Sequence, residues 1–130
     1  MTAFLDSLIP IHLTIAFDVD DTLVIPGEVM GTKYDQPNWE VIDIYKWFQR
    51  NGHRMIVWSY GGKAWAEEWN DRLGLNADEC RFKDKNNPET GNDVDIAFDD
   101  CNLNIAKVMV KVRRYKNSIE RRPPEQRRNP

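Results

Sequence analysis

Apolar positions come in short runs that stop at polar clusters. Leu13–Thr14–Ile15–Ala16–Phe17 is followed at once by Asp18–Val19–Asp20–Asp21–Thr22. Such a run predicts a buried strand with an acidic carboxyl end. Met55–Ile56–Val57–Trp58, ending at Ser59, and Val94–Asp95–Ile96–Ala97–Phe98, ending at Asp99–Asp100, repeat the pattern. Between these runs the period becomes helical. Val41, Ile44, Tyr45 and Phe48 share one face of a helix from Asn38 to about Arg50, which Gly52 stops. Trp65, Trp69 and Leu73 recur at four-residue steps in a second helix, Ala64 to Leu73, before Gly74. Brief strands near Cys80–Phe82 and Val108–Val112 and a short helix from about Leu103 complete the core. Residues 24–37, with Pro26, Gly27, Gly31 and Pro37, read as irregular. Strands alternating with helices predict a parallel sheet with right-handed crossovers.

The chain has 130 residues, enough for one compact domain and its own core. The predicted core domain is 1–115. Residues 116–130 are polar and carry Pro123, Pro124 and Pro130, and no fixed structure is expected there. The net charge of −3 is unevenly spread. Lys116, Arg121, Arg122, Arg127 and Arg128 outnumber Glu120 and Glu125, so the tail is basic and the body more acidic than the mean. An acidic body does not attract a phosphate backbone by its overall field. The basic tail is the one segment that could meet nucleic acid, although a solvated tail is the simpler expectation. Cys80 and Cys101 form neither a disulfide framework nor a CxxC pair. With no signal-like leader and no run long enough to span a bilayer, the expected setting is the cytoplasm, away from membranes.

Chemistry concentrates where the strands end. In open α/β sheets, sites form at the carboxyl edge of the strands. Parallel neighbours would bring Asp18, Asp20, Ser59, Asp99 and Asp100 to one edge. Like charges that close are costly, and a hard dication with oxygen ligands relieves them. The expected metal is Mg²⁺, since histidine and cysteine are too sparse for zinc. Other patterns fail on inspection. Gly27 to Lys33 lacks the glycine spacing of a P-loop, and Leu23 and Val29 stand where an EF-hand needs Gly and Glu. A receiver domain would put the double Asp first, whereas Asp99–Asp100 comes last. Trp65 and Trp69 read as packing residues rather than a base-stacking platform. Asp95 reads as structural, and Asp100 could also cap a following helix.

Four segments in order resemble the haloacid dehalogenase superfamily of phosphohydrolases. Its first motif is an apolar strand followed by Asp-x-Asp-x-Thr, as in Asp18 to Thr22. Its second ends an apolar strand in Ser or Thr, as Ser59 does. Its third is a Lys, for which Lys83 and Lys85 both qualify. Lys85 is favoured because Lys83 abuts the short strand, while Lys85 lies in the loop near Pro88. Its fourth ends a strand in acidic residues, as in Asp99–Asp100, with Asn104 fitting one variant.

The resemblance covers residues 13–104 and implies a three-layer α/β/α Rossmann-like sheet without a sizeable cap domain. It implies Mg²⁺-dependent hydrolysis of a phosphomonoester, with Asp18 as nucleophile and Asp20 as general acid and base. The metal ligands would be Asp18, Asp20 through its backbone carbonyl, and Asp99, with Asp100 a further candidate. Ser59 and Lys85, or alternatively Lys83, would bind the phosphoryl group. Candidate substrates are a nucleotide, a sugar phosphate or a nucleic-acid end. Capless members act on large substrates or borrow a lid, so a homo-oligomer supplying one is a candidate arrangement. The competing expectation is a non-catalytic phosphate- or Mg²⁺-binding module on the same fold.

Overall fold

The structure is a computed structural model that describes residues 11–113. The basic tail from 116 to 130 lies outside the described residues. Among the described residues seven strands form: β1 (Thr14–Asp18), β2 (Val24–Ile25), β3 (Gln36–Pro37), β4 (Arg54–Ser59), β5 (Glu79–Phe82), β6 (Ile96–Asp99) and β7 (Val108–Lys111). The helices among the described residues are α1 (Gly27–Met30), α2 (Trp39–Arg50) and α3 (Lys63–Arg72). Five strands make one parallel sheet in the order β5-β4-β1-β6-β7. The fold class is therefore Rossmann-like α/β. Among the described residues, no helix is long and apolar enough to cross a membrane.

β1 is central, and after Thr14 its run Ile15–Ala16–Phe17 is fully buried up to Asp18. Ile15, Phe17, Met55 and Val57 are fully buried on one face of the sheet and pack with Val41, Ile42 and Tyr45 of α2 and Ala66 and Trp69 of α3. Phe17 stacks on Phe98 with ring centroids 4.4 Å apart. Alternate residues, Ala16, Ile56, Trp58 and Ala97, enter a second, smaller cluster. Its cover is Val94, Leu103, Ile105 and Ala106, all outside the helices. Of the three layers expected, the described residues thus build the sheet and one helical layer, with loops on the other face.

The helix expected from Leu103 is absent, and residues 101–107 are irregular. Eight residues separate β6 from β7, too few for a helix and two turns between parallel strands. The chain instead lies against Gly91, where a Cβ would come 1.5 Å from the backbone oxygen of Ile105. Gly91→Ala is expected to destabilise the protein by about 3 kcal/mol, the upper range for overpacking. The midpoint of chemical denaturation measures this.

Two other segments depart from expectation. Residues 24–37 contain an antiparallel pair, with Val24 opposite Pro37 and Ile25 opposite Gln36. Val24 and Ile25 are buried, and the Asp35 carboxylate accepts a 2.9 Å hydrogen bond from the Gly27 N–H, closing the loop. β6 begins at Ile96 rather than Val94. The Asp95 carboxylate is used instead as a tether, accepting a 2.8 Å bond from the Thr14 N–H at the start of β1. That bond, first, and Lys107 hold the Asp95 carboxyl below its usual range.

Candidate active site

β4, β1 and β6 are neighbours, and they end in Ser59, Asp18 and Asp99. All three side chains are buried, although they are polar. Parallel register explains this: Phe17 is level with Val57 and Phe98, so Asp18 and Asp99 emerge side by side, and Ser59 follows one residue beyond Trp58, which is level with Asp18. Lys83 follows β5 directly, and its N–H bonds the Ser59 carbonyl at 2.9 Å. That extension of the ladder aims its side chain into the acidic cluster. The Lys83 Nζ donates to Asp18 Oδ1 and to Asp99 Oδ2, each at 2.7 Å, with the Lys83 side chain 3% exposed.

Of the two candidate lysines, the structure brings Lys83 into the cluster and leaves Lys85, the favoured one, outside it. The Lys85 Nζ lies 4.2 Å from the centroid of the Tyr60 ring, and Lys85 is exposed. Abutting the strand, taken as a reason against Lys83, is what delivers it to the carboxyl edge.

The turn after β1 is built to present carboxylates. Asp21 takes a left-handed φ of 64°, and the Val24 N–H returns to the Val19 carbonyl at 3.0 Å. Thr22 Oγ1 donates to Asp18 Oδ2 at 3.4 Å. The Asn38 amide at the start of α2 donates to the Thr22 carbonyl at 3.1 Å, tying helix to turn instead of capping the helix. Asp20 is half-buried, and its Oδ2 accepts a 3.0 Å bond from the indole N–H of Trp65. Ser59 Oγ accepts from the Gly61 N–H at 2.9 Å. Asp99 Oδ1 accepts from the Cys101 N–H at 2.9 Å. Asp100 is buried beside it, and the possible ligand atoms of Asp99, Asp100 and Cys101 lie within 4.8 Å of one another. Asn104 is exposed on the loop beyond.

Burial pushes the Asp18 carboxyl well above its usual range, Lys83 pulls it down, and Asp99 and Asp100 push it up again. Asp99 is raised in the same way, by burial first. Burial alone would lower the Lys83 ammonium, but the Asp18 and Asp99 carboxylates overcome it and the net direction is upward. Lys83 therefore stays charged. Asp18, Asp99 and Asp100, when ionised, still outweigh that single ammonium by two negative charges. A buried excess of this size with oxygen donors suits a small hard dication.

Sequence reasoning missed Trp65. It reads as a packing residue because its four-residue spacing to Trp69 is the ordinary mark of a buried helix face. The contact to Asp20 runs between elements and leaves no local signal. Trp69, by contrast, is a core residue. Together the fold and the edge cluster define a class, a Rossmann-like α/β domain with an acidic, lysine-bridged site. No protein-family model and no curated protein matches the chain.

Proposed function

We propose that this protein is a Mg²⁺-dependent phosphomonoester hydrolase of the type its motifs resemble, a haloacid dehalogenase-like enzyme. The observation that carries the reading is Lys83 bridging Asp18 and Asp99 at the ends of adjacent strands, with Ser59 on the third. A phosphoryl group brings its own negative charge to this edge, and bound Mg²⁺ would supply the countercharge and polarise a phosphoryl oxygen. Asp18, Asp99 and the Asp20 carbonyl would hold that ion, with Asp100 beside them.

Asp18 is the nucleophile: one carboxylate oxygen bonds to phosphorus as the bond to the leaving oxygen breaks. Asp20 gives its proton to that oxygen, releasing the alcohol. Asp20 then takes a proton from water, whose oxygen attacks phosphorus, and the bond to Asp18 breaks to free inorganic phosphate. Lys83 favours the ionised form of Asp18, opposing the effect of burial, and faces the phosphoryl oxygens. Ser59 Oγ–H donates to one of them. The proposed setting is the cytoplasm, which suits Cys80 and Cys101 as thiols.

The test is phosphate release from an aryl phosphate. Wild type is expected to turn over with Mg²⁺ and to stop on chelation. Asp20→Asn is expected to lose about 10²- to 10⁴-fold in kcat, the worth of a positioned acid–base group. Wild type inert across a broad phosphomonoester panel would leave the non-catalytic module as the better reading.

A further inference from the structure

A cleft of about 480 Å³ lies between the loop that joins β2 to β3 and the side of α3 that carries Trp65, Glu68, Trp69 and Arg72, and it reaches Asp20 through Trp65. Tyr34, Trp65 and Trp69 bring three aromatic rings to it, and Lys33 and Arg72 stand at its lining. Trp65 belongs to both places, because the indole that lines the cleft also donates to Asp20 Oδ2 at 3.0 Å. Trp65 and Trp69 meet edge to face, with centroids 5.9 Å apart. Arg72 sits 5.0 Å from the centroid of the Trp69 ring, and Lys33 5.3 Å from that of Tyr34. The cleft's charges cancel: Asp35 and Glu68 line it too, and Glu68 pairs with Arg72 at 3.2 Å.

We infer that this cleft is the leaving-group subsite and that it takes an uncharged nucleoside, making the substrate a nucleoside monophosphate. The inference rests on the hydrolase reading, since it uses Asp20 as the acid that meets the leaving oxygen. Three features select the class. A leaving group protonated by Asp20 must pass Trp65. Aromatic walls favour a planar ring. Balanced charge offers nothing to a second phosphate or to an acidic sugar. Length then separates a nucleoside from a simple phenol. Trp65 and Arg72 are seven residues apart on α3, so the cleft runs roughly 10 Å from Asp20 along the helix. That leaves room for a ribose before the base, whereas a phenyl phosphate would place its ring directly at Asp20.

The test uses the Asp18→Asn protein with Mg²⁺, so that ligands bind without turnover, and reads dissociation constants by calorimetry. AMP is expected to bind about tenfold or more tighter than glycerol phosphate, the least that one stacked base contributes. Phenyl phosphate should fall near glycerol phosphate. Tyr34 is exposed, so Tyr34→Ala is expected to fold and to weaken AMP about tenfold. Equal affinity for AMP and glycerol phosphate would overturn the inference, as would phenyl phosphate matching AMP. Wild type run in parallel separates the two readings. Mg²⁺-dependent hydrolysis without nucleotide preference removes the subsite alone, whereas no hydrolysis of any ester removes the function beneath it.

Discussion

Asp18→Asn is expected to abolish phosphate release, lowering kcat by about 10⁴-fold or more, as loss of a covalent nucleophile does. Asparagine keeps the shape of the side chain. It cannot act as an anionic nucleophile, and it removes one of the two carboxylates that Lys83 bridges. The fold should survive, because Asp99 still pairs with Lys83 and the strand ladder around residue 18 is backbone to backbone. Thermal unfolding in chelator checks this, and a folded, inert variant is the expected outcome. A folded variant with wild-type turnover would remove Asp18 from the chemistry altogether.

Lys83→Met should be nearly as damaging, and it acts on stability as well. Methionine fills much of the space but leaves Asp18 and Asp99 facing each other in a dry pocket. Breaking a buried ion pair on one side costs about 3–5 kcal/mol. The carboxyls then carry pKa values raised further above their unfolded values by burial and mutual repulsion. Groups shifted that way contribute stability below the unfolded pKa and lose it as pH rises through the folded one. The variant's deficit in metal-free buffer should therefore shrink as pH is lowered toward the carboxylate range. Mg²⁺ should also restore part of it, since an ion that binds only the native state stabilises by mass action. In turnover, Lys83→Met should lose about 10³-fold, as for other fixed transition-state charges. Lys85→Ala should stay within about twofold, the ordinary range for a surface change. The opposite ranking would return the role to Lys85.

Much of this arrangement is legible from residues alone. The runs ending at Asp18, Ser59 and Asp99 mark buried parallel strands, and their common direction brings these three ends to one edge. Val41 and Tyr45 mark the buried face of α2 for the same reason, a period that only a helix satisfies. What escapes is what depends on partners distant in the chain. Lys83 and Lys85 have the same composition around them, and only the pairing of β5 with β4 decides which one turns inward. Leu103 begins a segment with helical composition, but the span from β6 to β7 is too short to hold a helix. Trp65 meets Asp20 across 45 residues, a contact no local pattern announces. Val24 and Pro37 pair across a loop whose glycines and prolines suggest no order.

The most direct test of the proposed chemistry is to trap the covalent state. Wild-type protein would be mixed with excess aryl phosphate and Mg²⁺, quenched in acid, digested and weighed by mass spectrometry. The expected result is one added phosphoryl group on the peptide containing Asp18, released by hydroxylamine and absent from Asp18→Asn. Steady turnover with no phosphoryl group on that peptide, or with the label on another residue, would contradict the assignment of Asp18 as the nucleophile.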